Sequence, residues 1–132
     1  MQTSVFTKII NGEIPCHKVF EDERTFAFMD IDPVQPGMVL VVPKTQIDRF
    51  EDLSDEDLIA VMLTVKKITL AMRKAFVNKD RIGLQIEGFE VPHAHVKLIP
   101  INSGEEFHNP PSGNDPDHKK LADQAEMIRS KL

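Results

Sequence analysis

Apolar residues recur at helical spacing over residues 4–11, where Val5, Phe6, Ile9 and Ile10 share a side, Thr3 or Ser4 can cap the start and Gly12 ends the run. Ile14-Pro15 turns the chain. Two short strands are expected at 17–20 and 25–29, joined by charged Glu21-Asp22-Glu23-Arg24. The turn Asp32-Pro33-Val34-Gln35-Pro36-Gly37 leads into Met38-Val39-Leu40-Val41-Val42, the most β-branched run in the chain and therefore a central strand, stopped by Pro43. A longer helical stripe follows in Leu58, Val61, Met62, Val65, Ile68, Met72 and Phe76. With Ser54 and Asp57 spaced as in a capping box, it predicts one helix over 55–77 whose apolar stripe is core. Strands are then expected at 81–86 and 92–99 around a tight Glu87-Gly88-Phe89-Glu90 turn. Residues 102–116, rich in Gly, Pro, Asn and Ser, read as loop, and a polar helix over 117–131 closes the chain. This order of elements defines an α+β class with a mostly antiparallel five-stranded sheet, one long helix, a short N-terminal helix and a C-terminal helix.

The strand over 92–99 carries the candidate chemistry. Its alternation puts His93, His95, Lys97 and Ile99 on one face and Ala94, Val96 and Leu98 on the other. Packing does not call for two imidazoles and an ammonium in a row, so the first face is expected to be wet and suited to a phosphate group. A neutral imidazole is both a nucleophile and a leaving group, and can split a phosphoryl or nucleotidyl transfer into two easier steps. His95 is the candidate nucleophile. His93 and Lys97 flank it at about 7 Å, the spacing of alternate strand positions. The Lys97 cation would favour the neutral form of a neighbouring imidazole and attract an anionic substrate. A zinc site on His-x-His lacks a third ligand here and faces Lys97, and a plain exposed sheet position is the other alternative. His17, His108 and His118 stand alone and read as surface. No glycine-rich phosphate loop is present, so any phosphate chemistry must come from this strand.

Composition narrows the partners. At 132 residues the chain suits one compact domain, and its net charge of -5 supplies no broad basic surface for nucleic acid or anionic membrane, so an anion site must be local. The first residues lack a charged-then-apolar signal pattern, no apolar run approaches a membrane span, and a cytoplasmic location is expected. The lone cysteine, Cys16, cannot form an internal disulfide.

Several segments in order resemble one family: Phe6-x-Lys8-Ile9-Ile10-x-Gly12-Glu13-Ile14-Pro15, Phe20-Glu21-Asp22, Ala27-Phe28-Met29-Asp30-Ile31, Gln35-Pro36-Gly37-x-Val39-Leu40-Val41-Val42-Pro43-Lys44 and Pro92-His93-x-His95. The chain resembles the histidine triad (HIT) family, nearest its Hint-like nucleotide-binding branch. The resemblance implies a HIT-like fold over residues 1–132, with a core to about 111 and a helical extension over 112–132, and a homodimer in which each protomer holds a purine nucleotide. It implies that His95 attacks the α-phosphate to give a nucleotidyl-histidine that water hydrolyses, releasing product from a nucleoside phosphoramidate or dinucleoside polyphosphate. His93 would orient the nucleophile and Lys97 stabilise charge. The nucleoside would sit among Val5, Phe6, Ile9, Ile14, Phe28 and Ile31, with Asp30 on the ribose. Nucleotidyl transfer to another acceptor, or nucleotide and partner binding without catalysis, are the alternatives. The departures are Lys97 in place of the third His, Met38 in place of another His, Ile86 in place of an Asn and Glu90 in place of a Ser. Some members hold a structural zinc at places that read Ser4, Thr7 and Gln46 here, so neither a metal nor another cofactor is expected.

Overall fold

The computed structural model describes residues 2–132. Helix α1 spans Val5–Ile10, capped by the Ser4 hydroxyl, which accepts the Thr7 N–H. Strands β1 (Lys18–Glu21), β2 (Thr25–Met29) and β3 (Val39–Pro43) follow, then α2 (Asp55–Ala75), β4 (Arg81–Gln85), β5 (Val96–Ile101), α3 (Gly104–Phe107) and α4 (His118–Arg129). All five strands form one antiparallel sheet in the order β1-β2-β3-β5-β4. The crossover between β3 and β4 is made by α2, so β5 returns into the middle of the sheet and β4 becomes an edge.

The two faces of the sheet bury different sets. Ala27, Met29, Val39, Val41, Val96 and Leu98 meet Val61, Val65, Ile68 and Met72 of α2 and Leu121, Ala125 and Ile128 of α4. On the opposite face Phe26, Phe28, Leu40, Val42, Ile99 and Ile101 meet Phe6 of α1, with Phe107 of α3 beside them. Covering on both sides makes every residue of β2 and β3 buried, which explains why the 38–42 run is continuously apolar rather than alternating.

Several boundaries move for physical reasons. The long helix ends at Ala75, not at residue 77, because Phe76 leaves helical geometry (φ -109°, ψ 66°) to pack over Gly37. Its stripe is core through Val61, Val65, Ile68 and Met72, whereas Met62 is exposed and Leu58 and Phe76 are only half-buried. Gly37 has φ +89°, and a β-carbon there would come within 2.9 Å of the Phe76 ring, so the turn into β3 requires glycine. Within the expected loop over 102–116 a short helix forms at Gly104–Phe107, its first turn capped by Ser103. A 3₁₀ turn at Phe50–Asp52 was likewise not signalled by periodicity. The tight turn expected at 87–90 is a longer connection, since β4 ends at Gln85 and β5 starts only at Val96.

Candidate functional site

The late start of β5 shapes the site. Pro92 offers no N–H, the His93 N–H turns back to the Val91 carbonyl at 2.8 Å, and the Ala94 N–H donates to the Ile47 carbonyl at 2.7 Å. Residues 93–95 therefore leave the ladder and pass beneath α1. The expected wet face is corrected here: His93 is 0 % and His95 4 % exposed. Phe6 covers them, standing edge-on to His93 (centroids 5.8 Å, 63°) and to His95 (5.0 Å, 84°). The alternation chose the correct side of the sheet, but α1 closes over that side. Lys97 lies within β5, half-buried, paired in register with Leu40 and Gln85.

The hydrogen bonds determine both imidazole tautomers. Nε2 of His93 lies 2.8 Å from the Pro43 carbonyl oxygen, which can only accept, so Nε2 carries the proton and Nδ1 keeps its lone pair. Nδ1 of His95 lies 2.8 Å from the His93 carbonyl oxygen, so there the proton sits on Nδ1 and the Nε2 lone pair is left for chemistry. Burial lowers the pKa of each ring. At His95 the Nδ1–H bond to the His93 carbonyl opposes that shift, the Lys97 cation adds to it, and the Asp30 and Glu90 carboxylates oppose it. Both rings are neutral near pH 7.

His95 and Lys97 open into a cavity of about 240 Å³. Val5, Phe6, Ile9, Ile14, Phe28, Asp30 and Ile31 all line it, brought together by α1, the turn after it and the end of β2. His93 does not line it and is linked to it only through the bond of its carbonyl to Nδ1 of His95. Pro15, Cys16, Met29, Leu40, Glu90 and Val91 complete the wall. Leu40 could have been read from its place on the same face of β3, whereas Cys16 and Val91 carry no sequence signal. Burial pushes the Asp30 carboxyl above its usual value, opposed by the Asp32 N–H that one of its oxygens accepts at 2.8 Å and by Lys97.

Two further bays flank this cavity. One of about 350 Å³ shares Asp30, Glu90 and Lys97 and adds Asp32, Glu87 and His108. His108, read from sequence as an isolated surface residue, reaches this bay because α3 anchors Phe107 against Gly83. The other bay, about 600 Å³, lies beside His95 and is lined by Arg49, Phe50, Ile86 and Phe89. His17 and His118 lie elsewhere and meet each other at 2.9 Å between β1 and α4. Among the described residues no group of three or more His, Cys, Asp or Glu side chains is arranged to hold a metal ion, and no helix is long and apolar enough to cross a membrane.

Fold and site together define a small α+β protein with a His-x-His-x-Lys segment tucked under its N-terminal helix beside an apolar-walled cavity. The chain belongs to the HIT family, the HIT domain matching residues 11–104. It is 39% identical over 104 residues to an uncharacterized HIT-like protein of Methanocaldococcus jannaschii, covering 76% of this chain and 81% of that protein. It is 37% identical over 100 residues to an adenosine 5'-monophosphoramidase of Schizosaccharomyces pombe, covering 73% of this chain and 72% of the relative. Among solved structures, a Hit-like protein involved in cell-cycle regulation from Bartonella henselae superposes with a TM-score of 0.87 at 33% identity, covering 98% of this chain and 96% of the other.

Proposed function

We propose that the protein binds a purine nucleoside 5'-phosphoryl group and hydrolyses a nucleoside phosphoramidate through a nucleotidyl intermediate on His95. One observation carries this reading. His95 is a buried neutral imidazole whose Nδ1 proton is held by the His93 carbonyl, leaving the Nε2 lone pair free beside Lys97 and an apolar-walled cavity. A flat base suits the walls built by Val5, Phe6, Ile9, Ile14, Phe28 and Ile31, and the Asp30 carboxylate suits a ribose diol. The monophosphoramidase relative supports the reaction class.

In the first step Nε2 of His95 forms a bond to the α-phosphorus while the P–N bond to the leaving amine breaks, and the amine takes up a proton from solvent water, which the second step returns. In the second, water attacks the same phosphorus, the P–Nε2 bond breaks, the water's proton is released, and nucleoside monophosphate leaves. Lys97 stabilises the charge on the phosphoryl oxygens through both steps. Among the described residues it makes no ion pair that would withdraw it from that role. A lysine ammonium is a poorer proton donor at pH 7 than an imidazolium, so turnover is slow.

The bay beside Lys97 favours an amine over a dinucleoside polyphosphate as the source of the leaving group. Asp30, Asp32, Glu87 and Glu90 border it, and a leaving group that carries several negative charges would meet them at short range. A second reading, nucleotide binding without turnover, draws on Met38, which is buried in the apolar cluster and offers no polar group to the site. Homodimerisation through the β4 edge is part of the proposal, supported by the exposed Leu84 and Ile86 there and by Ile59, Leu63 and Leu70 at helical spacing on α2. A sedimentation measurement giving a monomer would overturn it.

The test of function is a steady-state and mass-spectrometric assay with an adenosine phosphoramidate and a dinucleoside polyphosphate, run beside His95→Ala. Turnover of the phosphoramidate, with an adenylated His95 peptide absent from the variant, is the expected result. Binding with neither turnover nor adduct would favour the second reading. An adduct that accumulates and hydrolyses slowly, but discharges to an added acceptor, would make the protein a transferase.

A further inference from the structure

Behind the histidines, on the side away from the cavity, four polar side chains converge although none of them faces the proposed substrate. Ser4 Oγ lies 2.7 Å from Nδ1 of His93. Because Nε2 of His93 has its proton on the Pro43 carbonyl, Nδ1 can only accept, so the Ser4 hydroxyl donates to it. The same Ser4 oxygen accepts the Thr7 N–H at 3.0 Å and thereby caps α1. Thr7 Oγ1 is 2.8 Å from Gln46 Oε1 and 3.4 Å from Nδ1 of His93, so its single proton goes to the nearer acceptor. Gln46 Oε1 also accepts the Ser4 N–H at 2.7 Å, and Gln46 Nε2 donates to the Gln2 carbonyl at 2.7 Å. Ser4 Oγ also lies 3.2 Å from Thr7 Oγ1, and its single proton goes to the nearer acceptor, Nδ1 of His93. The next residue, Ile47, holds the Ala94 N–H between the two histidines.

We infer that Ser4, backed by Gln46, is a positioning residue for His95: its hydroxyl holds in place the His93 ring whose tautomer the Pro43 carbonyl sets, and the His93 carbonyl in turn holds the Nδ1 proton of the nucleophile. This rests on the reading of His95 as the nucleophile. The chain of contacts also ties α1, whose Val5, Phe6 and Ile9 wall the cavity, to the segment that carries the nucleophile. Without the Ser4 hydroxyl, Nδ1 of His93 is a buried acceptor with no strong donor. The ring is then anchored by the Pro43 carbonyl alone and can turn away from it, and the His93 carbonyl moves with it. His95 loses the acceptor that keeps its Nε2 lone pair aimed at the cavity.

Ser4→Gly separates this role from helix capping, because glycine is nearly as good as serine at an N-cap but has no hydroxyl. Ser4→Thr restores the hydroxyl, and Gln46→Ala loosens the same chain from its far end while leaving the cap. The readouts are the ¹⁵N shifts of the imidazole nitrogens in the full chain, and kcat and KM with an adenosine phosphoramidate. Ser4→Gly should lower kcat about tenfold or more with KM within about twofold, the signature of a misplaced reacting group rather than lost binding. Its His95 ¹⁵N pattern should shift from one tautomer to a mixture, Gln46→Ala should show the same change in smaller measure, and Ser4→Thr should restore both readouts. A folded Ser4→Gly protein with the parent's ¹⁵N pattern and kcat would overturn the inference and leave Ser4 a helix cap alone. Absence of turnover in the parent would strike the proposed reaction instead. The ¹⁵N spectra then decide the inference by themselves, a single His95 tautomer in the parent that is lost in Ser4→Gly supporting it and an unchanged one overturning it.

Discussion

Mild acid should destabilise this protein through its two buried histidines. His93 and His95 are buried and neutral, and burial holds both below the ordinary imidazole value of 6.5. The unfolded chain therefore binds more protons than the folded one between the two values. The stabilisation is fully present above pH 6.5 and is lost as pH falls from there through the folded values. If both rings stay neutral in the fold, protonation of the unfolded state between pH 6.5 and 5.5 costs about 1 kcal/mol per histidine, or about 2 kcal/mol for the pair. For a domain of this size that is a fall in melting temperature of roughly 6–8 °C. Urea unfolding at pH 7.5, 6.5 and 5.5 measures it, and because the raised Asp30 value acts with the opposite sign the series is repeated in Asp30→Asn. His17, whose value is also lowered by burial and by His118, is removed as a contributor by repeating the series in His17→Gln. A stability that does not change from pH 7.5 to 5.5 would refute the neutral tautomers assigned to His93 and His95. A slope that survives in the double variant His93→Gln, His95→Gln would place its origin elsewhere.

Lys97→His supplies a group able to donate a proton near neutrality and should raise kcat for a basic amine leaving group by about tenfold or more. The gain should nearly vanish for a leaving group that needs no protonation, as steady-state assays with the two substrates would show. Asp30→Asn should weaken nucleoside monophosphate binding by about tenfold or more, as for loss of a charged hydrogen bond, with a much smaller effect on a 2',3'-dideoxy ligand. Titration calorimetry with both ligands checks it, and equal losses would mean that Asp30 does not hold the ribose. Gly37→Ala forces a β-carbon into the Phe76 ring at a left-handed position and should cost about 2 kcal/mol. Urea unfolding checks the cost, and an unchanged midpoint would refute it.

Much of the architecture can be read directly from apolar periodicity. The β-branched run at 38–42 announced a central strand because only a strand buried on both faces tolerates such continuity, and β3 is that strand. Val61, Val65, Ile68 and Met72 repeat at helical spacing because one side of α2 lies on the sheet. The side of the sheet bearing His93, His95 and Lys97 follows from the same period-2 rule, since Val96 and Leu98 must face α2. What periodicity cannot report is cover supplied by residues distant in sequence. The histidines look exposed from their own segment, and Phe6, nearly ninety positions earlier, buries them.

The same distance separates residue type from chemistry. Sequence names two imidazoles, but which nitrogen of each carries a proton depends on Pro43 and Ser4 for His93 and on the His93 backbone for His95. Those partners meet only when α1 and the end of β3 close around residues 93–95. His108 remained an isolated polar residue until α3 carried it to the bay beside Lys97. Local pattern sets the elements and the face because secondary structure repeats within a few residues. Burial, tautomer and the company a reactive group keeps are properties of contacts between elements, and the packed sheet alone decides them.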